Sequence, residues 1–240
     1  MENNVSQATS IEWTEYSWNP VTGCTKISSG CQNCYAEKMA NRLKSMRSNR
    51  YRNGFNITLQ QDLLYIPHKW KKPRIVFVNS MSDLFHEKIP LTYIKKVFKV
   101  MNECPQHTFQ VLTKRSDRLL KVSNELNWTH NIWMGVSVED NKVINRIKDL
   151  KLVKAKTKFI SFEPLLENIN IRTLKGINWV IVGGESGPKS REMKEEWAKH
   201  IRDICINENV PYFFKQWGGF YKRRNGRLLE GVEWSGMPIK

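Results

Sequence analysis

No apolar run in this sequence approaches the roughly twenty residues that a membrane-spanning helix needs. The first residues, MENNVSQATSIEWTEYSWNP, lack the basic-then-apolar order of a secretory signal, so a cytosolic protein is expected. Histidines number only five and none stands in an HxxxH or HxH pair, which gives no indication of a mononuclear zinc hydrolase. No paired nucleophile and base stands out. The one glycine-rich stretch, Gly183 to Gly187 (GGESG), lacks both the dinucleotide fingerprint and the lysine of a P-loop. It reads as a tight turn that gives a ligand close backbone access. Acidic residues are also short, 23 against 39 Lys and Arg, for a net charge of +16. Such a field draws in polyanions, nucleic acid first among them, or serves only to keep the surface soluble.

Cysteine is scarce and uneven. The five cysteines are an odd number, and three of them fall within eleven positions: Cys24, Cys31 and Cys34. A metal site in a reducing compartment explains this better than a disulfide framework. A structural zinc site is closed by four protein ligands, whereas three thiolates on a four-iron cluster leave one iron open to a further ligand. Gly23 and Gly30 precede two of the cysteines and give the loop freedom to wrap a bulky group. The alternative is zinc, with His86, His68 or Cys104 as a distant fourth ligand and a non-catalytic, nucleic-acid-binding role. Cys104, before Pro105 at a helix end, and Cys205, on an apolar helical stripe, read as packing residues.

With 40% hydrophobic and 11% aromatic residues in 240 positions, the chain can bury a substantial core, read as one domain over 1–240. Apolar runs at 74–79, 108–112, 131–138, 158–162 and 178–182 read as buried parallel strands. The segment 11–15 is expected to begin the sheet and 211–216 to end it. Helical stripes lie between: Leu91, Ile94, Phe98 and Met101 after Pro90; Val143, Ile144, Ile147 and Leu150; Trp197, Ile201, Ile204 and Cys205. About seven strands alternating with helices are too few for a full eight-unit barrel and predict a partial one. Residues 18–36 form the cysteine loop, about 48–73 reads as an insertion, and about 211–240 as a C-terminal extension. Its end, from Trp217, is either packed or a substrate-facing flap.

Read as a set, WNPVTGCTKISSGCQNCYAE, VFVNSMSDLFHE, FQVLTKR, MGVSVEDN, FISFEPL, WVIVGGESGP and FFKQWGG make the chain similar, over nearly its whole length, to the phage-type three-cysteine-motif proteins, a divergent branch of the radical S-adenosylmethionine superfamily. One departure from the superfamily's commonest pattern is plain: six residues, not three, separate the first two cysteines, and the aromatic Tyr35 follows the third instead of preceding it. The resemblance implies an α/β fold, a partial TIM-like (β/α)6 barrel with a short extra C-terminal strand and tail. It implies a [4Fe-4S] cluster on Cys24, Cys31 and Cys34, S-adenosyl-L-methionine across the strand ends, a one-electron reductant as partner, and a 5′-deoxyadenosyl radical that attacks a substrate. The phage association makes that substrate a DNA base or nucleotide, in the cytosol of a bacterium or a phage-infected host.

Position along the strands assigns the other candidates. Asn79, Ser80, Ser82 and Asp83 follow the second strand, where the superfamily receives the methionine ammonium, so Asp83 or the Ser80 backbone is the candidate; capping the turn is Asp83's plainer role. Lys114 and Arg115 end the third strand and suit the methionine carboxylate or a substrate phosphate. Ser137 and Glu139 end the fourth and suit ribose hydroxyls. Glu163 and Glu185 end the fifth and sixth strands, where a carboxylate is either functional or spent on a salt bridge. Lys215 and Gln216 on the last strand are expected to line the same mouth. Lys114, Glu163 and Glu185 are the candidates for catalysis, with Glu163 also a cofactor ligand. Arg115, Glu185, Lys215 and Gln216 are the candidates for substrate.

Overall fold

A computed structural model describes residues 7–9 and 11–239. Its main sheet runs in the order β1 (Gln7–Ala8), β2 (Tyr16–Trp18), β5 (Ile75–Val78), β6 (Thr108–Thr113), β7 (Ile132–Ser137), β8 (Thr157–Phe162), β9 (Trp179–Gly183) and β10 (Tyr212–Gln216). β1 is antiparallel to β2, and the seven strands from β2 onward are parallel. A small hairpin pairs β3 (Val21–Thr22) with β4 (Thr58–Leu59), and another pairs β11 (Leu228–Leu229) with β12 (Val232–Glu233). The helices are α1 (Tyr35–Ser45), α2 (Leu91–Asn102), α3 (Ser116–Val122), α4 (Asn145–Leu152), α5 (Glu195–Asn207) and the short α6 (Lys222–Asn225).

The strands are apolar on both faces because each face is covered by different partners. Outward-facing Val76, Val78, Phe109, Val111, Met134, Ile160, Val180 and Phe214 share one core with Ile94, Val97, Phe98 and Met101 of α2 and with Ala198, Ile201 and Cys205 of α5. Inward-facing Phe77, Trp133, Phe159, Trp179, Ile181 and Phe213 form a second core with Trp13. Trp13 touches both Phe77 on β5, with ring centroids 4.7 Å apart, and Trp179 on β9, at 6.1 Å. A flat sheet would hold strands so far apart in order well beyond reach of one indole, so the sheet is curled into a half-barrel with an aromatic floor. Gly135 lies inward on β7, and a Cβ there would sit 2.4 Å from the Phe159 ring. Its lack of a side chain is what lets the floor close.

The expected strand at 11–15 is not one. Ile11 and Trp13 alternate with polar residues because a turn, closed by Thr14 N–H donating to the Ile11 carbonyl, tips Trp13 into the floor. The first parallel strand is β2, and Thr14 Oγ1 donates to the Ile75 carbonyl at 3.2 Å to join it to β5. Between β8 and β9 the chain crosses without a helix. Leu165, Ile169, Ile171, Leu174 and Ile177 of that loop are buried and cover the sheet in a helix's place. Segment 48–73 carries β4 and delivers Leu63, Leu64 and Trp70 to buried positions. Past β10 the tail is packed where it returns: Trp234 O accepts from Phe214 N, Gly236 N donates to Tyr212 O, and Trp179 Nε1 donates to Gly236 O at 2.8 Å.

Candidate functional site

Above the aromatic floor, the carboxyl ends of the parallel strands open into a cavity of about 490 Å³. The same two-residue period that puts Phe77, Trp133, Phe159 and Phe213 on the floor puts Asn79, Ser137, Ser161 and Lys215 at the mouth. All three N-terminal cysteines line it. Cys24 enters from β3, where Gly23 has φ +87° and a Cβ would lie 2.2 Å from the Asn56 carbonyl oxygen. Cys24 N–H then donates to the Phe55 carbonyl, so the hairpin from segment 48–73 fixes the start of the cysteine loop. Cys31 ends a single 3-10 turn (Ser29–Cys31), and Cys34 stands at the N-cap of α1.

Three of the strand-end acids hold this loop in place, and each is matched to a cation. Asp83 pairs with Arg115 at 3.3 Å and also accepts from Thr113 Oγ1 and Lys114 N. Arg115, only 5% exposed, reaches on to Cys24 Sγ at 3.4 Å and to both oxygens of Thr25 at 3.0 Å. Glu139 is fully buried; it pairs with Arg146 at 2.9 Å and accepts from Gly30 N and Ser28 Oγ. Glu185 pairs with Arg191 and accepts from Asn33 Nδ2 at 2.9 Å, while Arg191 donates to the Ser29 carbonyl. A fourth pair, Glu163 with Lys215 at 3.0 Å, faces the cavity itself.

The placements refine the expectations residue by residue. Asn79, Ser80, Ser82, Asp83, Lys114, Arg115, Ser137, Glu163, Glu185, Lys215 and Gln216 all line the cavity with the cysteines. Glu139 is not among them; its carboxylate bonds Ser28 Oγ, Gly30 N and Arg146 beneath the cysteine loop. Arg115 lines the cavity but its guanidinium is already engaged by Asp83, Glu87, Thr25 and Cys24. Ser80 Oγ bonds Asn19, Ser82 Oγ donates to the Val21 carbonyl, and Asp83 is occupied as described. Among the described residues, buried polar atoms of the cavity lining that have no protein partner include Asn79 Nδ2 and Gln216 Oε1, and Trp13 Nε1 on the floor. Asn33, Arg146 and Arg191 were not legible as site residues, since an arginine beside apolar helix positions and two polar loop residues look like ordinary surface.

Burial pushes the Cys24 thiol up to about 11, with the Asp83 charge adding to it and Arg115 opposing. A metal that takes this sulfur as thiolate must displace that proton, and Arg115 is the donor left to support the anion. The candidates for a zinc ligand lie elsewhere in their bonding. His86 accepts from Lys88 N through Nδ1, so its Nε2–H donates to Thr25 at 2.8 Å. His68 is bound to Glu103, and Cys104 is in the core. Among the described residues no three His, Cys, Asp or Glu converge on a point where one metal ion would sit.

Burial alone would raise the Glu185 carboxyl, but hydrogen bonds from Arg191 and Asn33 outweigh it and hold the group below its ordinary value. Its hold on Asn33 and Arg191 is therefore complete above the usual glutamate range, about pH 4.3, and is lost as pH falls through the lowered value. Hydrogen exchange of residues 28–34, corrected for intrinsic rates, is expected to accelerate as pH is lowered through that range. In Glu185→Gln the acid-dependent acceleration should vanish; an unchanged profile would assign the anchoring to another group.

Among solved structures the fold is similar to that of spore photoproduct lyase. A cysteine-to-serine mutant of that enzyme gives a TM-score of 0.50 at 13% identity, over 86% of this chain and 76% of that one. Its complex with dinucleoside spore photoproduct gives 0.48 at 13% identity, over 84% and 63%, so this chain spans less than two thirds of that protein's length. A double mutant with bound AdoMet and the same dinucleoside gives 0.46 at 13% identity, again over 84% and 63%. The likeness is one of fold: the half-barrel of seven parallel strands is a partial TIM-like barrel. No curated protein matches the chain. The family model described as "Protein of unknown function (DUF5131)" matches residues 8–238, and the chain belongs to that family.

Proposed function

We propose that the chain is a radical S-adenosylmethionine enzyme, with Cys24, Cys31 and Cys34 holding a [4Fe-4S] cluster and with a DNA base or nucleotide as substrate. The observation that carries this reading is the meeting of three thiols from one loop with unsatisfied buried polar atoms, Asn79 Nδ2 and Gln216 Oε1, on the wall of a single cavity. Thiols spread around a cavity suit a cluster, which takes each thiolate on its own iron. When bound, the cluster and S-adenosylmethionine supply one electron and a carbon-centred radical able to take a hydrogen atom.

The protein's own part is to bind, orient and exclude water. Lys114 is half-buried in the cavity wall, makes no ion pair among the described residues, and suits a carboxylate or phosphate. In the same cavity lining Asn79 Nδ2 offers an unpartnered donor and Gln216 Oε1 an unpartnered acceptor. Glu163 and Lys215 present a charge pair whose partners can exchange protein contact for ligand contact, which makes Glu163 the better candidate for a ribose or amine. The aromatic floor gives the cavity an apolar base that favours exclusion of water. The family resemblance to phage-type three-cysteine proteins agrees with a reducing cytosol and an external one-electron reductant.

The test is analytical and then kinetic. Anaerobically purified protein is expected to be brown, with iron and inorganic sulfide in near-equal amounts, and to release 5′-deoxyadenosine when given dithionite and S-adenosylmethionine. A colourless protein carrying zinc without sulfide would overturn the reading in favour of a zinc-stabilised nucleic-acid binder.

A further inference from the structure

At the lip of the cavity lies a second groove, of about 370 Å³, that the reading above leaves unused. One wall is the solvent face of α1. Tyr35, Lys38, Met39 and Arg42 fall at i, i+3, i+4 and i+7, a single stripe, while Ala36 and Ala40 on the opposite face are buried beside Tyr51 and Met81. The other wall is Ser186 to Pro188 with Phe220. Tyr35 and Ser186 line both the groove and the cavity, so the two are continuous.

The stripe is unusual in what it leaves exposed. Tyr35 is 54% exposed, Met39 42%, Phe220 61% and the adjacent Tyr221 65%, with the Phe220 and Tyr221 rings edge to face at 4.6 Å. Apolar side chains gathered on a surface mark a binding site more often than chance. Among the described residues the groove has two cations, Lys38 and Arg42, and no carboxylate in its walls; the acid on α1, Glu37, is paired with Lys26 at 2.9 Å. Exposed rings with interleaved cations match a chain of bases and phosphates, for which rings supply stacking and cations the backbone contacts. A neutral or basic peptide would leave Lys38 and Arg42 unmatched, and an acidic one would bring no flat bases to stack on the exposed rings, so cations and rings together favour a nucleic acid strand.

We infer that this groove holds the nucleotide next to the reacting one in a single-stranded nucleic acid, and so sets the register in which the strand enters the cavity. The inference rests on the reading of the cavity as a nucleotide site. Its test is fluorescence anisotropy of end-labelled ten-nucleotide single strands, one deoxythymidine and one uridine, bound to the full-length, cluster-loaded protein across a salt series. Affinity should fall as salt rises. Lys38→Glu with Arg42→Glu should weaken binding at least tenfold and reduce the slope of log affinity on log salt by about 1.4, two phosphate contacts at about 0.7 each. Phe220→Ala, which leaves charge alone, should weaken it by roughly tenfold through lost stacking. Circular dichroism and melting temperature report that each variant is folded. Absent strand binding, wild-type affinity in the charge-reversed protein, or inorganic polyphosphate competing as well as the oligonucleotide would each overturn the inference. Iron and sulfide measured on the same samples keep the two questions apart. Iron-loaded protein that ignores the strand refutes the groove alone, and iron-free protein that binds it through these residues refutes the redox reading alone.

Discussion

Replacing Cys31 with alanine is expected to reduce iron and sulfide content to a small fraction of wild type and 5′-deoxyadenosine release to background. No other cysteine can take its place. Cys104 and Cys205 are 1% and 0% exposed inside the main core, on the outer side of the sheet from the cavity. Cys31 also sits in a well-bonded part of the loop. Its amide donates to the Ser28 carbonyl, its sulfur lies 3.8 Å from Ser28 Oγ, and its carbonyl accepts from Cys34 N–H. Because the backbone contacts survive the substitution, the loop should keep its course and only the ligand should be lost. Removal of one thiolate from three leaves two anchors, too few to retain a cluster against exchange with free thiols. Absorbance near the iron–sulfur charge-transfer band, iron and sulfide assays, and mass spectrometry of the nucleoside product read the three consequences separately. A Cys205→Ala control should keep its iron while losing core packing. Full iron and full turnover in Cys31→Ala would remove the basis for the proposed chemistry.

How far the sequence revealed the site follows from what each signal can carry. The parallel strands were legible because burial on both faces turns them into nearly unbroken apolar runs, and α2 because its stripe follows a proline suited to a helix start. What such runs hide is which side each residue faces. Trp133, Phe159, Trp179 and Phe213 look like any core residue in one dimension, yet curling of the sheet gathers them into a floor. The same blindness misplaced the segment 11–15, where alternation came from a turn. At the mouth, strand-end position was a good guide to which residues meet, and a poor one to what their charges face. Ion pairing of Asp83, Glu139, Glu163 and Glu185 depends on partners up to 52 positions away along the chain, for Glu163 and Lys215. Two of the pairs, Asp83 with Arg115 and Glu163 with Lys215, are brought together only by the fold, while Glu139 with Arg146 and Glu185 with Arg191 are near in sequence but lie in segments with no repeating pattern to mark them.

Glu139 shows the consequence, and its replacement by alanine is expected to destabilise the fold by about 3–5 kcal/mol, the cost of leaving a buried partner charge unpaired. The carboxylate is fully buried, and the Arg146 side chain that faces it is only 6% exposed. Arg146 keeps one further bond, to the Ser137 carbonyl at 2.8 Å, which cannot neutralise its charge. The other carboxylate oxygen takes Gly30 N–H and Ser28 Oγ–H, and a Cβ at Gly30 would come within 2.9 Å of the carboxyl carbon. Thus one buried acid serves both as counter-ion to α4 and as the shelf beneath the cysteine loop. Urea denaturation of protein without S-adenosylmethionine separates this role from a ribose contact: a ribose ligand would leave the midpoint in place and weaken only cosubstrate binding. Adding Arg146→Met to Glu139→Ala removes the stranded charge and should recover part of the stability. It restores no acceptor for Ser28 and Gly30, so iron retention should stay low in the double variant, and recovery of both together would show that the loop does not depend on this shelf.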